Sequence, residues 1–393
     1  VQQYSFDHAL TINTLGRTRA AHDAKPIQAG LLIPAEWARS VAGNTSNCSM
    51  NDKGLNMPGS TSTETGLGQQ SSNLSKGLID VLILNEDDVK ASIDLADLLD
   101  VLEEGFKALS AGQVVVPERP QLDIPSAGYS LAMPAWMDGM NLTVKIVNVF
   151  EGNIDRQIPS HLATISLFDA ETGMPVCVMD GTYITAVRTS GSAVLSVRAL
   201  ARSDAKVATV VGAGVQAKQH LDFLPLVRDF SEILLVSKFY EDAEQLAAMH
   251  SGVEAVADIE DAVRNSDVVC LATHSYEPVL DPEWIRPGTH VSSVGVAPPG
   301  GEMPVSLIQN SSLFVETKDA FKATPVGCCE LEGIDPDTGT ELGDVFLGRR
   351  PGRVSGDQVT TYKAMGIAME DMVAADLVFR KARRIGIGRP FKM

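Results

Sequence analysis

Cysteine is sparse in this 393-residue sequence: Cys48, Cys177, Cys270, Cys328 and Cys329 are an odd, scattered set with no C-x-x-C pair. Such usage supports neither a disulfide framework nor a zinc site, and it fits a reducing, cytoplasmic compartment. The adjacent Cys328 and Cys329 read as neighbouring thiols rather than a redox switch. No apolar run approaches the ~20 residues of a membrane span, so no membrane partner is expected. Positive charge is also short, with 32 Lys and Arg against 50 Asp and Glu and a formal net charge of -18. A phosphate backbone is repelled by that balance, which argues against nucleic acid, although a few local bases can still hold a small anion in a cleft. No H-x-x-x-H or H-E-x-x-H spacing occurs, and His161, His220, His250, His274 and His290 suggest no metal site.

What is present is ordinary for a folded chain, 44% hydrophobic and 21% charged. The length suits two packed cores, because single cores stop growing at roughly 250 to 300 residues. Residues 1–77 differ from the rest, being rich in Ser, Thr, Asn, Gly and Gln, and are expected to form a disordered leader that buries too little apolar surface to offset chain entropy. A start near Met50 or Met57, or a transit peptide disfavoured by Asp7 and Asp23, are the other readings. Order is expected from Val81-Leu82-Ile83-Leu84, followed by Asn85 as a helix cap and a helix from about Asp94 to Ser110. Strands follow at Tyr129–Met133, Leu142–Val149, Ala163–Asp169 and Pro175–Asp180, then a long helix from about Thr185 to Arg202. We read 78–200 as a sheet-forming domain with antiparallel character.

From Val207 the pattern changes to short buried strands alternating with helices, the mark of a doubly wound parallel sheet. Val207-Ala208-Thr209-Val210-Val211 runs into Gly212-Ala213-Gly214-Val215-Gln216-Ala217 and then into a helix. In this context Gly-x-Gly-x-x-Ala is a dinucleotide turn: Gly212 allows the bend, Gly214 the close approach of backbone to pyrophosphate, and Ala217 the packing of helix on strand. NAD-specific sites place a carboxylate at the end of the second strand. Here that strand ends Leu235-Val236-Ser237-Lys238, so NADP(H) is favoured over NAD(H). The expected fold class is α/β, with a Rossmann-type sheet over 201–324 and a second α+β domain. Residues 325–393 are expected to return to the first domain through one final helix, Tyr362 to Ala382.

Lys145-Ile146-Val147-Asn148, Ile158-Pro159-Ser160-His161, Leu167-Phe168-Asp169-Ala170-Glu171-Thr172-Gly173, Asp180-Gly181, Thr185-Ala186-Val187-Arg188-Thr189 and the Gly212 turn together resemble the ornithine cyclodeaminase/mu-crystallin family. The likeness continues through Pro287-Gly288-Thr289-His290-Val291 and Glu302 to Lys363-Ala364-Met365-Gly366, and so runs from about Val81 to the C-terminus. It implies a homodimer whose first domain, 78–200, is the substrate and dimerisation domain, a nicotinamide cofactor on the Rossmann domain, and hydride transfer at the carbon alpha to a carboxylate, interconverting an amine and an imine. It also implies substrate roles for Arg119, Lys145 and Arg188, with Lys145 catalytic. Ser160, Arg188, Val215, Gln216, Thr273 and Val294 fall at cofactor positions, and Ala364 and Met365 close the nicotinamide end.

The cations make chemical sense apart from the likeness, since an Arg fork holds a carboxylate and an ammonium protonates an imine nitrogen as hydride arrives. Three positions depart from the family pattern. Thr189-Ser190-Gly191 replaces Thr-Ala-Ala, which we read as a packing change. Leu131 and Ala297 stand where an ornithine cyclodeaminase keeps acids. The expected activity is therefore reduction of a small α-imino acid, or its reverse. Ornithine cyclodeamination and an idle, crystallin-like binding protein are the alternatives.

Overall fold

The computed structural model describes residues 80–393, so the expected leader lies outside the described residues. The chain opens with β1 (Asp80–Leu84), α1 (Glu86–Ser92) and α2 (Leu95–Ser110). Asn85 caps α1 in a reciprocal capping box with Asp88, and the Asp94 carboxylate accepts the Ala96 and Asp97 amides at the head of α2. Next come β2 (Val114–Val115), β3 (Gln121–Ile124), β4 (Gly128–Met137), β5 (Leu142–Val149), β6 (His161–Phe168), β7 (Pro175–Asp180) and α3 (Thr182–Leu200). These strands, with a last strand described below, form a mixed sheet in which only β1 and β7 pair in parallel.

Period-2 alternation decides what faces inward. In β5, Thr143, Lys145, Val147 and Val149 are buried while Leu142 and Ile146 point out. Lys145 is thus carried into the core by the register of its strand.

After α3 come β8 (Val207–Val211), α4 (Val215–Val227), β9 (Glu232–Val236), α5 (Tyr240–Ala247), β10 (Val253–Ala255), α6 (Ile259–Asn265), β11 (Val268–Leu271) and β12 (His290–Ser293). The remainder is α7 (Val305–Gln309), β13 (Ser312–Val315), β14 (Thr340–Glu341), α8 (Leu342–Phe346), β15 (Thr360–Lys363), α9 (Ala368–Ile385) and β16 (Arg389–Lys392). The second sheet runs β10-β9-β8-β11-β12-β15-β13-β14, all parallel, and β16 pairs with β1 in the first. The fold is α/β: a Rossmann-type doubly wound sheet beside a second α+β domain. Its strand order reverses between β8 and β11, where such sheets take their ligands.

One expected element is wrong. Tyr362 and Lys363 do not start the last helix; they end β15, which lies between β12 and β13 in the parallel sheet. The β-branched Thr360 and Thr361 favour a strand, and Gly366, at φ +73°, separates it from α9. Helix α9 then packs on α2, α3, β4 and β5.

Candidate functional site

The glycine turn meets the geometric demands of a dinucleotide cradle. Gly212 has φ +117°, and a Cβ there would stand 2.5 Å from the Ala272 carbonyl oxygen. Nothing lies within 4 Å of a Cβ built at Gly214, and α4 starts there with no side-chain cap. The first amides of α4 are therefore available to phosphate oxygens. Ala217 is fully buried against the sheet, and Val215 is 65% exposed on the open side. Ser190 Oγ donates to the backbone oxygen (3.1 Å) and Oε1 (2.8 Å) of Gln216, so the Ser190 departure links α3 to the cradle rather than merely altering packing.

At the end of β9, Ser237 is half-buried and Lys238 is exposed, its ammonium 5.9 Å from the centroid of the Phe239 ring. Thr273 follows β11, but its amide (2.7 Å) and hydroxyl (2.6 Å) both donate to Glu302. The same carboxylate accepts Ser293 Oγ at 2.8 Å and the Gly295 amide at 2.6 Å, fixing the turns on either side of Val294. Lys363 Nζ reaches Ser293 Oγ (2.9 Å), Glu330 Oε1 (2.7 Å) and the Gly295 carbonyl. Ser160 Oγ lies 3.1 Å from His161 Nδ1. Nearby, His274 Nε2 and the Tyr276 hydroxyl each lie 3.2 Å from Glu151 Oε1, joining the turn after β11 to the one after β5.

Lys145 and Arg188 converge on one carboxylate. Lys145 Nζ is 2.6 Å from Asp371 Oδ2 and 3.4 Å from Thr185 Oγ1, while Arg188 Nε donates to Asp371 Oδ1 at 3.0 Å. Arg188 NH1 also pairs with Glu370. Both cations are buried, and desolvation and the neighbouring Arg188 charge pull the Lys145 ammonium down to about 8 in spite of Asp371. Burial likewise opposes the Arg188 charge, but Asp371, Glu370 and Glu316 more than offset it and leave its pKa raised.

Arg119 is placed differently. Its NH1 donates to the carbonyls of Met365 (3.3 Å) and Gly366 (2.9 Å), and its NH2 to those of Pro325 (3.3 Å) and Val326 (2.9 Å). Only Nε is uncommitted. Beside it is a cavity of about 120 Å³ whose lining is mostly apolar and includes Val116, Met133, Met365 and Ile367. Gly366 is required here by contact as well as by φ, because a Cβ would meet Arg188 NH1 at 2.6 Å.

Sequence reasoning missed Glu316, Glu370 and Asp371. Acids in a first helical turn look like ordinary partners of the helix dipole, and Glu316 simply follows a buried strand. The available signal was the need of buried cations for carboxylate partners. Among the described residues no group of three or more His, Cys, Asp or Glu converges as a metal would require, and no helix is long and apolar enough to cross a membrane.

The sequence pattern of the ornithine cyclodeaminase/mu-crystallin family matches residues 80–385. The chain belongs to this family. Ketimine reductase mu-crystallin of Mus musculus is 32% identical over 298 residues, 75% of this chain and 94% of that protein. The structure of Thermococcus litoralis Delta(1)-pyrroline-2-carboxylate reductase, in complex with NADH and L-proline, superposes with a TM-score of 0.74 at 31% identity, covering 79% of this chain and 99% of that one. An archaeal alanine dehydrogenase dimer with bound NAD gives a TM-score of 0.73 at 28% identity, over 80% of this chain and 100% of that one. As a group, the family relatives support the general reaction class, nicotinamide-dependent oxidation and reduction of amino acids and imines, without singling out a substrate.

Proposed function

We propose that this member of the family reduces a small α-imino acid to the amino acid. The observation that carries the reading is the buried Lys145, held at 2.6 Å by Asp371 and with a pKa lowered to about 8, where an ammonium is acidic enough to give up a proton near neutral pH. A nicotinamide dinucleotide whose pyrophosphate is held by the Gly212 turn would supply the hydride. Lys145 donates a proton to the imine nitrogen, and Asp371 holds that ammonium in place. Arg188 offers NH2 to the substrate carboxylate, since its Nε and NH1 are occupied by Asp371 and Glu370. Arg119 adds positive charge and one free donor, Nε, and the apolar cavity beside it favours a short aliphatic side chain.

Two finer readings belong with this one. Ser237 and Lys238 favour NADP(H), by a hydroxyl donor and a charge for a 2'-phosphate. The outer face of the mixed sheet leaves Leu122 67% and Ile146 40% exposed, which supports a homodimer formed through that face. Ornithine cyclodeamination is disfavoured because Leu131, half-buried in β4, and Ala297, buried after β12, supply no carboxylate for a second amine. The test is nicotinamide oxidation by the purified full chain against cyclic imino acids, 2-oxo acids with ammonia, and ornithine. Imine reduction outpacing every reaction of ornithine is expected; the reverse order would overturn the reading.

A further inference from the structure

One exposed carboxylate ties the two domains together beside the dinucleotide crevice. Glu151 opens the 3-10 turn Glu151–Arg156, which follows β5, the strand of Lys145. Its Oε1 accepts the Tyr276 hydroxyl at 3.2 Å and lies 3.2 Å from His274 Nε2, and the same hydroxyl reaches Oε2 at 3.4 Å. The His274 and Tyr276 rings meet edge to face with centroids 5.4 Å apart, so their polar atoms are presented to Glu151 side by side. Both ends of this bridge are braced. Thr273, next to His274, is fixed by Glu302, and Ser275 Oγ donates to the Glu277 carbonyl at 2.6 Å. The Tyr276 carbonyl oxygen packs so closely on Gly300 that a Cβ there would stand 2.4 Å from it. Across the gap, the Phe150 amide donates to the Ser160 carbonyl at 2.8 Å, and Asn153 Nδ2 to that of Pro159 at 3.1 Å. Two firm turns are thus bridged here by side chains, which can part without unfolding either turn.

The bridge stands where a bound dinucleotide has to pass. A Cβ at Gly212 would lie 3.4 Å from Thr273 Cγ2 as well as against Ala272, so the phosphate turn and the His274 turn adjoin. A pyrophosphate on the Gly212 turn sits at the β8–β11 break, with one half of the cofactor toward the end of β9 and the other toward the ends of β11 and β12. The ribose that carries the adenine belongs at the β9 end, which sends the nicotinamide half past Thr273 to the side where β5 brings in Lys145. We propose that Glu151, His274 and Tyr276 form a clasp that closes over the nicotinamide half of the cofactor, with Glu151 as the positioning residue that sets how fast the cofactor leaves. This rests on the Gly212 cradle and not on the choice of substrate. Contacts at such exposure are individually weak, which suits a clasp that opens whenever cofactor exchanges. Removing the carboxylate breaks them all at once and should speed release by about five- to tenfold.

The test is stopped-flow displacement from the full chain with no substrate present. Protein loaded with NADH, and in parallel with NADPH, is mixed with excess oxidised cofactor while the fluorescence of the departing reduced cofactor is followed. Glu151→Ala, and the double variant His274→Ala with Tyr276→Phe, should each release the cofactor about five- to tenfold faster than wild type. Melting temperatures without cofactor should stay at the wild-type value, because all three side chains are exposed. Combining the three changes should add nothing, since losing either side opens the clasp. Wild-type release rates in both variants, or effects that simply multiply in the combined one, would overturn the proposal. Faster release with a matching fall in melting temperature would also reject it, by assigning the contacts to stability. Failure of the wild type to bind either reduced cofactor would remove the Gly212 cradle and the clasp with it.

Discussion

Among the described residues, two buried charged networks are built on opposite terms. Glu302 accepts four donors, the Thr273 amide and hydroxyl, Ser293 Oγ and the Gly295 amide, and Lys363 beside it is equally saturated. Around Asp371 the demands are not met: Glu370 Oε1 and Arg119 Nε lack partners, the Tyr362 hydroxyl is orphaned, and Lys145 carries a strongly lowered pKa. A satisfied polar network holds loops in place, whereas an unsatisfied one with perturbed groups is poised for a ligand. Under the proposed function, stability rests with the saturated network and chemistry with the open one.

Substitutions in each network should divide along that line. The largest effect is expected for Lys145→Met, which should lower turnover in imine reduction by roughly 10² to 10⁴-fold, with a smaller change in KM. Steady-state kinetics with thermal melting of the same protein checks it; an equal loss in folding stability would merge the two networks. Glu302→Gln should do the opposite, costing about 2 to 3 kcal/mol of stability in urea denaturation because buried donors lose their acceptor. Full stability in that variant would show that the four bonds are not structural.

The pH profile sharpens the contrast further. The Lys145 ammonium, lowered to about 8, is charged below that pH and neutral above it, so turnover in the reductive direction should fall as pH rises through about 8. The smallest effect is that of Lys238→Ala, a change at an exposed lysine outside both networks. It should weaken NADP(H) binding by a few-fold, about 1 kcal/mol, and leave NAD(H) binding unaltered. Fluorescence titration of both cofactors decides this, and equal losses for the two would remove Ser237 and Lys238 from the 2'-phosphate reading.

The structural network was more legible in the sequence than the reactive one. Strands β5, β7 and β8 fall at their expected residues because continuous or alternating apolar runs fix them locally. Lys145 and Arg188 stood out as charges in apolar elements. Strand β15 was hidden because Thr360, Thr361, Tyr362 and Lys363 are buried yet mostly polar, and they adjoin a strongly helical stretch. Asp371, Glu370 and Glu316 were hidden for a different reason. Their meaning depends on partners 182 and 183 residues away in the case of Arg188, a separation no local pattern encodes. The commitment of Arg119 to backbone carbonyls was equally beyond spacing arguments.

The most direct test of the central claim is the fate of the transferred hydrogen. With nicotinamide cofactor carrying deuterium at its transferable position and a cyclic imino acid as substrate, mass spectrometry of the product should show one deuterium at the carbon alpha to the carboxylate, and none with Lys145→Met over the same time. Unlabelled product, or ornithine turned over to proline and ammonia faster than any imine is reduced, would contradict the account.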